Sequence, residues 1–384
     1  MINRKVRILF ISSILDGMGG SEKNLYDLIR HLPPETFETH VFALRGGPVL
    51  NAIRAAGVHT QDLALRKLLS AKGLSTVARI IRFIRAAHID IIVTYHADAD
   101  FLGILAGRFA CVPVIISSKR DMGYPVTPIQ RKLYPLLNRS VTRVIAVSGA
   151  VRDAVASQQA IPLSKISVIH NGVDPALYPP ASIRGYLHTE LHLPPGRPLV
   201  GMIASFRPVK NQEALVRAAA LLLKRKCEAD FVFVGDTSTQ YYSHIASIVR
   251  HLGITERIHC LGERMDIPQI LTSLDIFVLC SQHEGFSNAL LEGMASSLPV
   301  IASNSGGNPE IVSSSNGILV PPGDVHVLAQ SISLLLRDPA RRTQMGHAGR
   351  TLIEHEYTLT AMAERYHRLF FSELLTTSAL CPSN

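Results

Sequence analysis

The 384-residue chain predicts an α/β architecture of two doubly wound, Rossmann-like domains facing across a cleft. Three observations carry that reading. Short apolar runs alternate with helix-period segments along the whole chain, the pattern of parallel sheets covered by helices on both faces. The pattern pauses in a Pro-rich stretch at residues 175–180 and then restarts. Composition agrees, since 47% hydrophobic and only 18% charged residues suit strands buried on both sides. The expected domains are residues 1–175 and 176–358, with a closing helical segment at 359–384.

In the first half, residues 6–14 read as a strand, followed by the turn Asp16-Gly17-Met18-Gly19-Gly20. A helix is expected from Ser21, capped by Ser or Gly, until Pro33-Pro34 ends it. Glycine at this point lets backbone approach an anion at a helix start. Lys23 stands where a dinucleotide fingerprint requires its third glycine, so the turn alone does not define a nucleotide site. Residues 40–44 form the next strand. Residues 63–87 then make a basic amphipathic segment broken at Gly73. Its apolar stripe is Leu74, Val77, Ile80, Ile81 and Ile84, with Arg79, Arg82 and Arg85 outside it. Such a helix docks on a sheet with a solvated basic face, and the same face suits anionic lipid.

Residues 89–94 are a central strand whose carboxyl end carries Tyr95, His96 and Asp98-Ala99-Asp100. The last three spell a D-x-D metal motif, but they also open a helix at 101–109, where acidic residues favour the macrodipole. His96 at a strand end is placed to act on an acceptor hydroxyl or to serve as an ordinary hydrogen-bonded histidine. Strands at 114–117, 144–147 and 166–169 follow. Their ends carry Arg120-Asp121, Ser148 and His170-Asn171-Gly172-Val173-Asp174.

The second half repeats the scheme. A strand at 199–204 leads into a loop holding Arg207 and Lys210, then a helix at 212–224. Strands at 231–234 and 258–261 and a short helix at 267–274 come next. Residues 275–312 then form a βαβ unit: a strand at 276–280, a turn with Glu284, a helix opening near Ser287, and a strand at 300–302. Asn288 and Glu292 share one face of that helix, while Leu290 and Met294 face the core. Helices at 327–336 and 359–375 end the pattern.

Composition excludes several classes. No apolar run is long enough to cross a bilayer. The basic, apolar N-terminus imitates a signal peptide but lacks a small-residue cleavage site, so it reads as a first buried strand of a cytoplasmic protein. The five scattered cysteines show no metal spacing and read as buried free thiols in a reducing compartment. The formal charge of +9 suggests acidic partners. No nucleic-acid module accompanies it, which leaves anionic lipid or phosphate-bearing small molecules.

The second domain gathers the chemistry. Lys210 and Arg207 are counter-charges for a diphosphate, as point charge and bidentate fork respectively. The helix start at Ser287-Asn288 adds neutral donors. Glu292 suits the vicinal hydroxyls of a ribose, and Glu284 the group beyond the diphosphate. Such a set binds a nucleotide-activated sugar and stabilises a departing diphosphate without a metal.

The chain resembles glycosyltransferase family 4, with its GT-B fold, over nearly its whole length. The residues that carry the resemblance are Gly19-Gly20-Ser21-Glu22, residues 170–174, Lys210-Asn211, residues 231–236, Glu284-Gly285-Phe286 through Glu292, residues 299–302 and Glu310-Ile311-Val312. The resemblance implies a retaining, metal-independent transfer from a nucleotide-diphosphate sugar held mainly by the second domain. It places Glu284 on the sugar hydroxyls, Glu292 on the ribose, Lys210 on the diphosphate, Gly19-Gly20 against the donor phosphate, and His96 near the acceptor. It also implies that the last helix crosses back to the first domain. Three positions depart from the family pattern. Ser205 stands where an arginine is usual, and Arg207 is the substitute within reach. Arg120-Asp121 replaces a common His-Asp or His-Gly pair on the acceptor side, where Arg120 suits an acceptor phosphate. Ser297 replaces a glycine. The expected activity is transfer, with a UDP-sugar preferred, to a saccharide or a polyprenyl or other lipid-linked acceptor in cell-surface polysaccharide synthesis, on the inner face of the plasma membrane where the acceptor requires it. The alternatives are a nucleotide-sugar epimerase of similar fold and a sugar-nucleotide-binding protein without turnover.

Overall fold

The structure, a computed structural model, describes residues 4–17, 19–123, 128–180 and 185–380. Met18 of the glycine turn and Cys381 lie outside the described residues. The chain divides into two compact units, one running to Asn171 and resuming at Leu359, the other Gly172–Thr358.

The first unit holds strands β1 (Val6–Ile14), β2 (Phe37–Arg45), β3 (His59–Asp62), β4 (Ile91–Tyr95), β5 (Val114–Lys119), β6 (Arg143–Ala146) and β7 (Ile166–Val168). The helices between them are α1 (Gly20–His31), α2 (Pro48–Ala55), α3 (Ala71–Ala86), α4 (Ala97–Phe109), α5 (Pro128–Ser140) and α6 (Gly149–Gln159). The strands form one parallel sheet in the order β3-β2-β1-β4-β5-β6-β7. Strand order reverses at β1, whose Phe10 pairs with Val41 on one side and Val93 on the other. All strand carboxyl ends therefore lie along one edge, and the β1–β4 switch point opens a crevice there.

The second unit holds β8 (Leu199–Ile203), β9 (Asp230–Val234), β10 (Ile258–Cys260), β11 (Ile276–Leu279), β12 (Val300–Ser303) and β13 (Gly317–Val320). Its helices are α7 (Tyr186–Glu190), α8 (Gln212–Lys224), α9 (Gln240–His251), α10 (Ile267–Thr272), α11 (Asn288–Ala295), α12 (Val325–Arg337) and α13 (Pro339–Glu356). The sheet is again parallel, ordered β10-β9-β8-β11-β12-β13, with its switch point between β8 and β11. Where the chain enters and leaves this unit, the two segments are stapled together. The Val173 N–H donates to the Tyr357 carbonyl at 2.8 Å.

The last helix, α14 (Leu359–Leu380), belongs to the first unit. Met362, Tyr366, Phe370 and Leu374 recur at helical spacing and pack into one core with Leu25, Leu28 and Phe37. The rings of Phe37 and Phe370 meet edge to face at 6.0 Å. Arg143 on β6 pairs with the buried Glu373 at 2.7 Å.

Several local expectations are corrected. The segment at 63–87 does not break at Gly73, because α3 runs through that residue. The Ser70 hydroxyl caps the helix by accepting from the Gly73 N–H at 3.0 Å. A Cβ on Gly73 would stand 1.8 Å from the Leu68 carbonyl, so glycine here permits loop contact and does not end the helix. Leu74 is not part of the buried stripe; it is 74% exposed. Helix α1 starts at Gly20 with Gly19 as N-cap, one residue earlier than Ser21. Tyr95 belongs to β4. Cys111 is exposed, at a left-handed φ of 58° just past α4. Cys280 is buried, and burial pushes its thiol up to about 12.

Because α14 supplies part of the first unit's core, Phe370→Ala should cost about 3–5 kcal/mol. Chemical denaturation followed in the first unit checks this; an unchanged midpoint would show that α14 is peripheral to that core.

Candidate functional site

In the second unit, three strand-end loops are stitched together around Glu284. The loop after β8 is held by Phe206, a buried ring 5.1 Å from the ring of Tyr242. The buried Gln212, first residue of α8, donates its side-chain N–H to the Ser205 carbonyl at 2.9 Å. Pro208–Lys210 then make one 3-10 turn, with Asn211 left-handed at φ 54°. That turn presents Lys210 toward the loop after β11. The two loops are joined by the backbone, the Gln282 N–H donating to the Val209 carbonyl at 2.8 Å. Across this seam Lys210 Nζ donates to both Oε1 and Oε2 of Glu284, each at 2.8 Å.

The third loop follows β12. Ser303 and Ser305 both donate to the Ser281 carbonyl, the latter at 3.1 Å. The Gly307 N–H donates to the Glu284 carbonyl at 3.2 Å. Gly306 has φ 55°, and a Cβ there would lie 1.7 Å from that same carbonyl oxygen. Only glycine allows so close a backbone approach. Glu284 is thereby fixed through its backbone from one side and its side chain from the other. The Lys210 and Glu284 side chains are 24% and 10% exposed, partly open to a ligand.

Ser287 caps α11, its hydroxyl accepting from the Leu290 N–H at 3.3 Å. Glu292 lies farther along α11 and is 9% exposed. Phe286 is a core residue, its ring 5.6 Å from that of Tyr357. Arg207 is exposed and forms no ion pair among the described residues. Lys210 in the loop after β8, Glu284, Gly285 and Ser287 in the β11–α11 connection, and Asn288 and Glu292 on α11 thus lie on adjoining segments, and the buried Phe286 anchors the connection.

In the first unit, Gly19 is the N-cap of α1, and the Glu22 carboxylate folds back over it. His96 follows β4 with a positive φ of 70° and is the N-cap of α4. Its Nε2 lies 3.9 Å from Glu22 Oε1. Burial pushes the His96 imidazole below its ordinary value, with nearby Asp100 partly opposing the shift. A neutral imidazole beside a carboxylate is suited to accepting a proton from a hydroxyl. Arg120 and Asp121 directly follow β5. Burial raises the Asp121 carboxyl, which accepts from the Gly123 N–H at 2.9 Å.

The D-x-D residues serve different ends. Asp100 is fully buried and accepts from Thr94, from Ser117 at 2.7 Å and from Lys119 at 2.5 Å, while Asp98 is exposed. Among the described residues, no three His, Cys, Asp or Glu side chains are grouped to hold a metal ion.

Two features escaped the sequence reading. One is the Ser303–Gly307 loop, whose signal was a serine- and glycine-rich run directly after a strand. The other is the link from Asn24 through Asn171 to Arg120, which joins positions distant in the chain.

Two parallel sheets with alternating helices, each with its strand-end loops gathered at one edge, match the architecture of GT-B glycosyltransferase structures. Residues 187–352 match the family description Glycosyl transferases group 1, and residues 18–177 match Glycosyltransferase Family 4. The chain belongs to glycosyltransferase family 4. It is 27% identical over 311 residues to UDP-Gal:alpha-D-GlcNAc-diphosphoundecaprenol alpha-1,3-galactosyltransferase of Escherichia coli, covering 77% of this chain and 79% of that one. It is 30% identical over 214 residues to a GDP-mannose-dependent monoacylated alpha-(1-6)-phosphatidylinositol monomannoside mannosyltransferase of Corynebacterium glutamicum, covering 53% and 55%. Among solved structures, a glycosyltransferase from Rickettsia africae superposes with a TM-score of 0.87 at 21% identity, covering 96% of this chain and 99% of that one. Anabaena Alr3699/HepE in complex with UDP-glucose gives 0.83 at 22%, covering 95% and 99%.

Proposed function

We propose that this glycosyltransferase moves a sugar, with retention and without a metal, from a nucleotide-diphosphate sugar to a saccharide or lipid-linked acceptor. The observation that carries the reading is the Lys210–Glu284 pair on two loops at the carboxyl edge of the second unit's sheet. A cation and a carboxylate held in contact suit a donor that carries a diphosphate beside a hydroxyl-rich ring. Lys210 takes the diphosphate and stabilises the charge that develops as it leaves. Glu284 accepts from the sugar hydroxyls, and Glu292 from the ribose. Arg207 adds a second positive charge at the loop surface, supplying what Ser205 lacks. Gly19-Gly20 presents backbone N–H groups to an anion, and His96 takes the acceptor proton, with Arg120 and Asp121 beside it. A UDP-sugar is the leading donor, in keeping with the names of the E. coli relative and the HepE complex. The C. glutamicum relative is named for GDP-mannose, so the base is the part of the donor that varies among similar chains. Cell-surface polysaccharide synthesis is the matching context.

Lys210→Ala and Glu284→Ala should each lower turnover by at least about a hundredfold, the usual scale for losing one group that stabilises developing charge. The fold should survive both changes, and the wild-type enzyme should stay active in excess chelator. A panel of UDP-, GDP- and ADP-sugars with product analysis checks all three points. Wild-type rates in either variant would remove the site assignment. Sugar interconversion without acceptor would favour an epimerase. Chelator loss restored by magnesium would return attention to Asp98 and Asp100.

Peripheral attachment to an anionic membrane is part of the same reading. Residues 63–89 contain six Lys or Arg and no Asp or Glu. Leu69 and Leu74 project from this stretch beside Arg66, Lys67 and Lys72. Among the described residues, no helix is long and apolar enough to cross a membrane. The protein should co-sediment with vesicles containing phosphatidylglycerol and lose that binding in high salt or after Leu69→Ser with Leu74→Ser. Equal sedimentation with neutral vesicles would argue against the charged face.

A further inference from the structure

Arg120 is a buried cation that makes no ion pair within 4.0 Å among the described residues. It directly follows β5 on the carboxyl edge of the first unit's sheet, beside the end of β4, and only 9% of it is exposed. One guanidinium nitrogen donates to the side-chain carbonyl of Asn171, which also accepts from Asn24 at 3.1 Å. The guanidinium lies over the face of Tyr95, 5.9 Å from the ring centroid. Its other terminal nitrogen, Nη1, is buried without a hydrogen-bond partner among the described residues.

Neighbouring charges are treated differently. Lys119, one residue earlier, is neutralised by Asp100 at 2.5 Å. Asp121, one residue later, accepts from the Gly123 N–H and acts on Arg120 only through space, without an ion pair. Arg120 is thus left among two amides, a phenol ring and the histidine His96. Taking a guanidinium out of water without an opposite charge is costly, and an amide carbonyl and a ring face offset only part of that cost. Such an arrangement is stable in use when a ligand brings the missing charge. A planar fork of N–H donors fits phosphate oxygens bidentately, and those oxygens are stronger acceptors than the Asn171 amide they would displace.

We propose that Arg120 binds a phosphoryl or diphosphoryl group of the acceptor, so that the acceptor is a phosphate-linked saccharide and not a neutral glycan. The word acceptor rests on the glycosyltransferase reading; the anion site rests on the first unit alone. The same chemistry could come from the donor's diphosphate, and the experiment separates the two sources. Arg120 and His96 directly follow adjacent strands, so an anion on Arg120 would bring the neighbouring sugar hydroxyl to the imidazole.

The test uses the full chain as wild type, Arg120→Met, Arg120→Lys and Lys210→Met, titrated calorimetrically with farnesyl diphosphate, farnesol, inorganic pyrophosphate, UDP and GDP. In Arg120→Met the affinity for farnesyl diphosphate should fall roughly tenfold or more, the scale of a lost charge-assisted hydrogen bond. Arg120→Lys should retain part of it. Farnesol binding and nucleotide binding should not change, and Lys210→Met should weaken the nucleotides instead. Ligand-free Arg120→Met should melt at or above the wild-type temperature, since it loses a buried charge that makes no ion pair; a structural arginine would give a lower melting temperature. Unchanged farnesyl diphosphate binding in Arg120→Met overturns the proposal. So does a loss confined to UDP or GDP, which would assign the anion to the donor. So does a fall in melting temperature with no change in ligand affinity. If instead no nucleotide binding depends on Lys210 while the Arg120 effect holds, the donor reading fails and the anion site stands.

Discussion

Lys210 and Glu284 are 74 residues apart in the chain and meet with both carboxylate oxygens 2.8 Å from the ammonium. The contact exists because β8 and β11 are neighbours at the sheet's switch point, so their carboxyl ends are brought side by side. The backbone bond from Gln282 to Val209 sets the spacing of the two loops, and Gly306 lets the β12 loop close on Glu284 from the other side. Removing any of these supports would leave a flexible lysine and a flexible glutamate on a surface, where an ion pair contributes little. Held as they are, the two charges satisfy each other in the ligand-free protein. In the proposed reading, a donor with a diphosphate and a sugar replaces both halves of the pair at once, whereas a bare nucleoside diphosphate replaces only one.

Much of the fold was legible because its strands are buried on both faces. Residues 8–11, 114–116 and 276–280 are continuous apolar runs, as strands of a covered parallel sheet are expected to be. Elements without that signature were passed over. The edge strand β3 is the polar tetrapeptide His-Thr-Gln-Asp, and α13 carries charge around most of its circumference. Gly73 misled for a different reason. Glycine in a helical pattern reads as a break, but here its missing Cβ is what the packing of Leu68 requires. Leu74 fitted the apolar period and still faces outward, since a period fixes which residues share a face but not which of them the sheet covers.

At the candidate site, sequence spacing placed Glu284 in a turn and Glu292 on the following helix, and both positions stand where the spacing put them. Phe286 sits inside the same motif yet supports the loop from the core. Motif membership does not separate a residue that faces a ligand from one that holds the loop. The Lys210 partner, the Ser303–Gly307 loop and the Asn24–Asn171–Arg120 link were invisible, because each depends on contacts between segments that only the sheet order brings together. Asp98 and Asp100 show the opposite case, a short motif whose second carboxylate is already filled by Lys119, Ser117 and Thr94.

The two units thus use one architecture for different chemistry. The second holds a mutually neutralised pair, which in the proposed reading a donor opens, and the first holds a histidine lowered by burial and a buried arginine without an ion pair just past the ends of adjacent strands. The central claim is that the donor exchanges with the Lys210–Glu284 pair. A crystal structure of the full chain with a non-hydrolysable analogue of its nucleotide-sugar tests it most directly. If the donor exchanges with the pair, a diphosphate oxygen will lie on Lys210 Nζ and a sugar hydroxyl on Glu284, with the pair separated. An intact pair, with the analogue bound elsewhere, would contradict it.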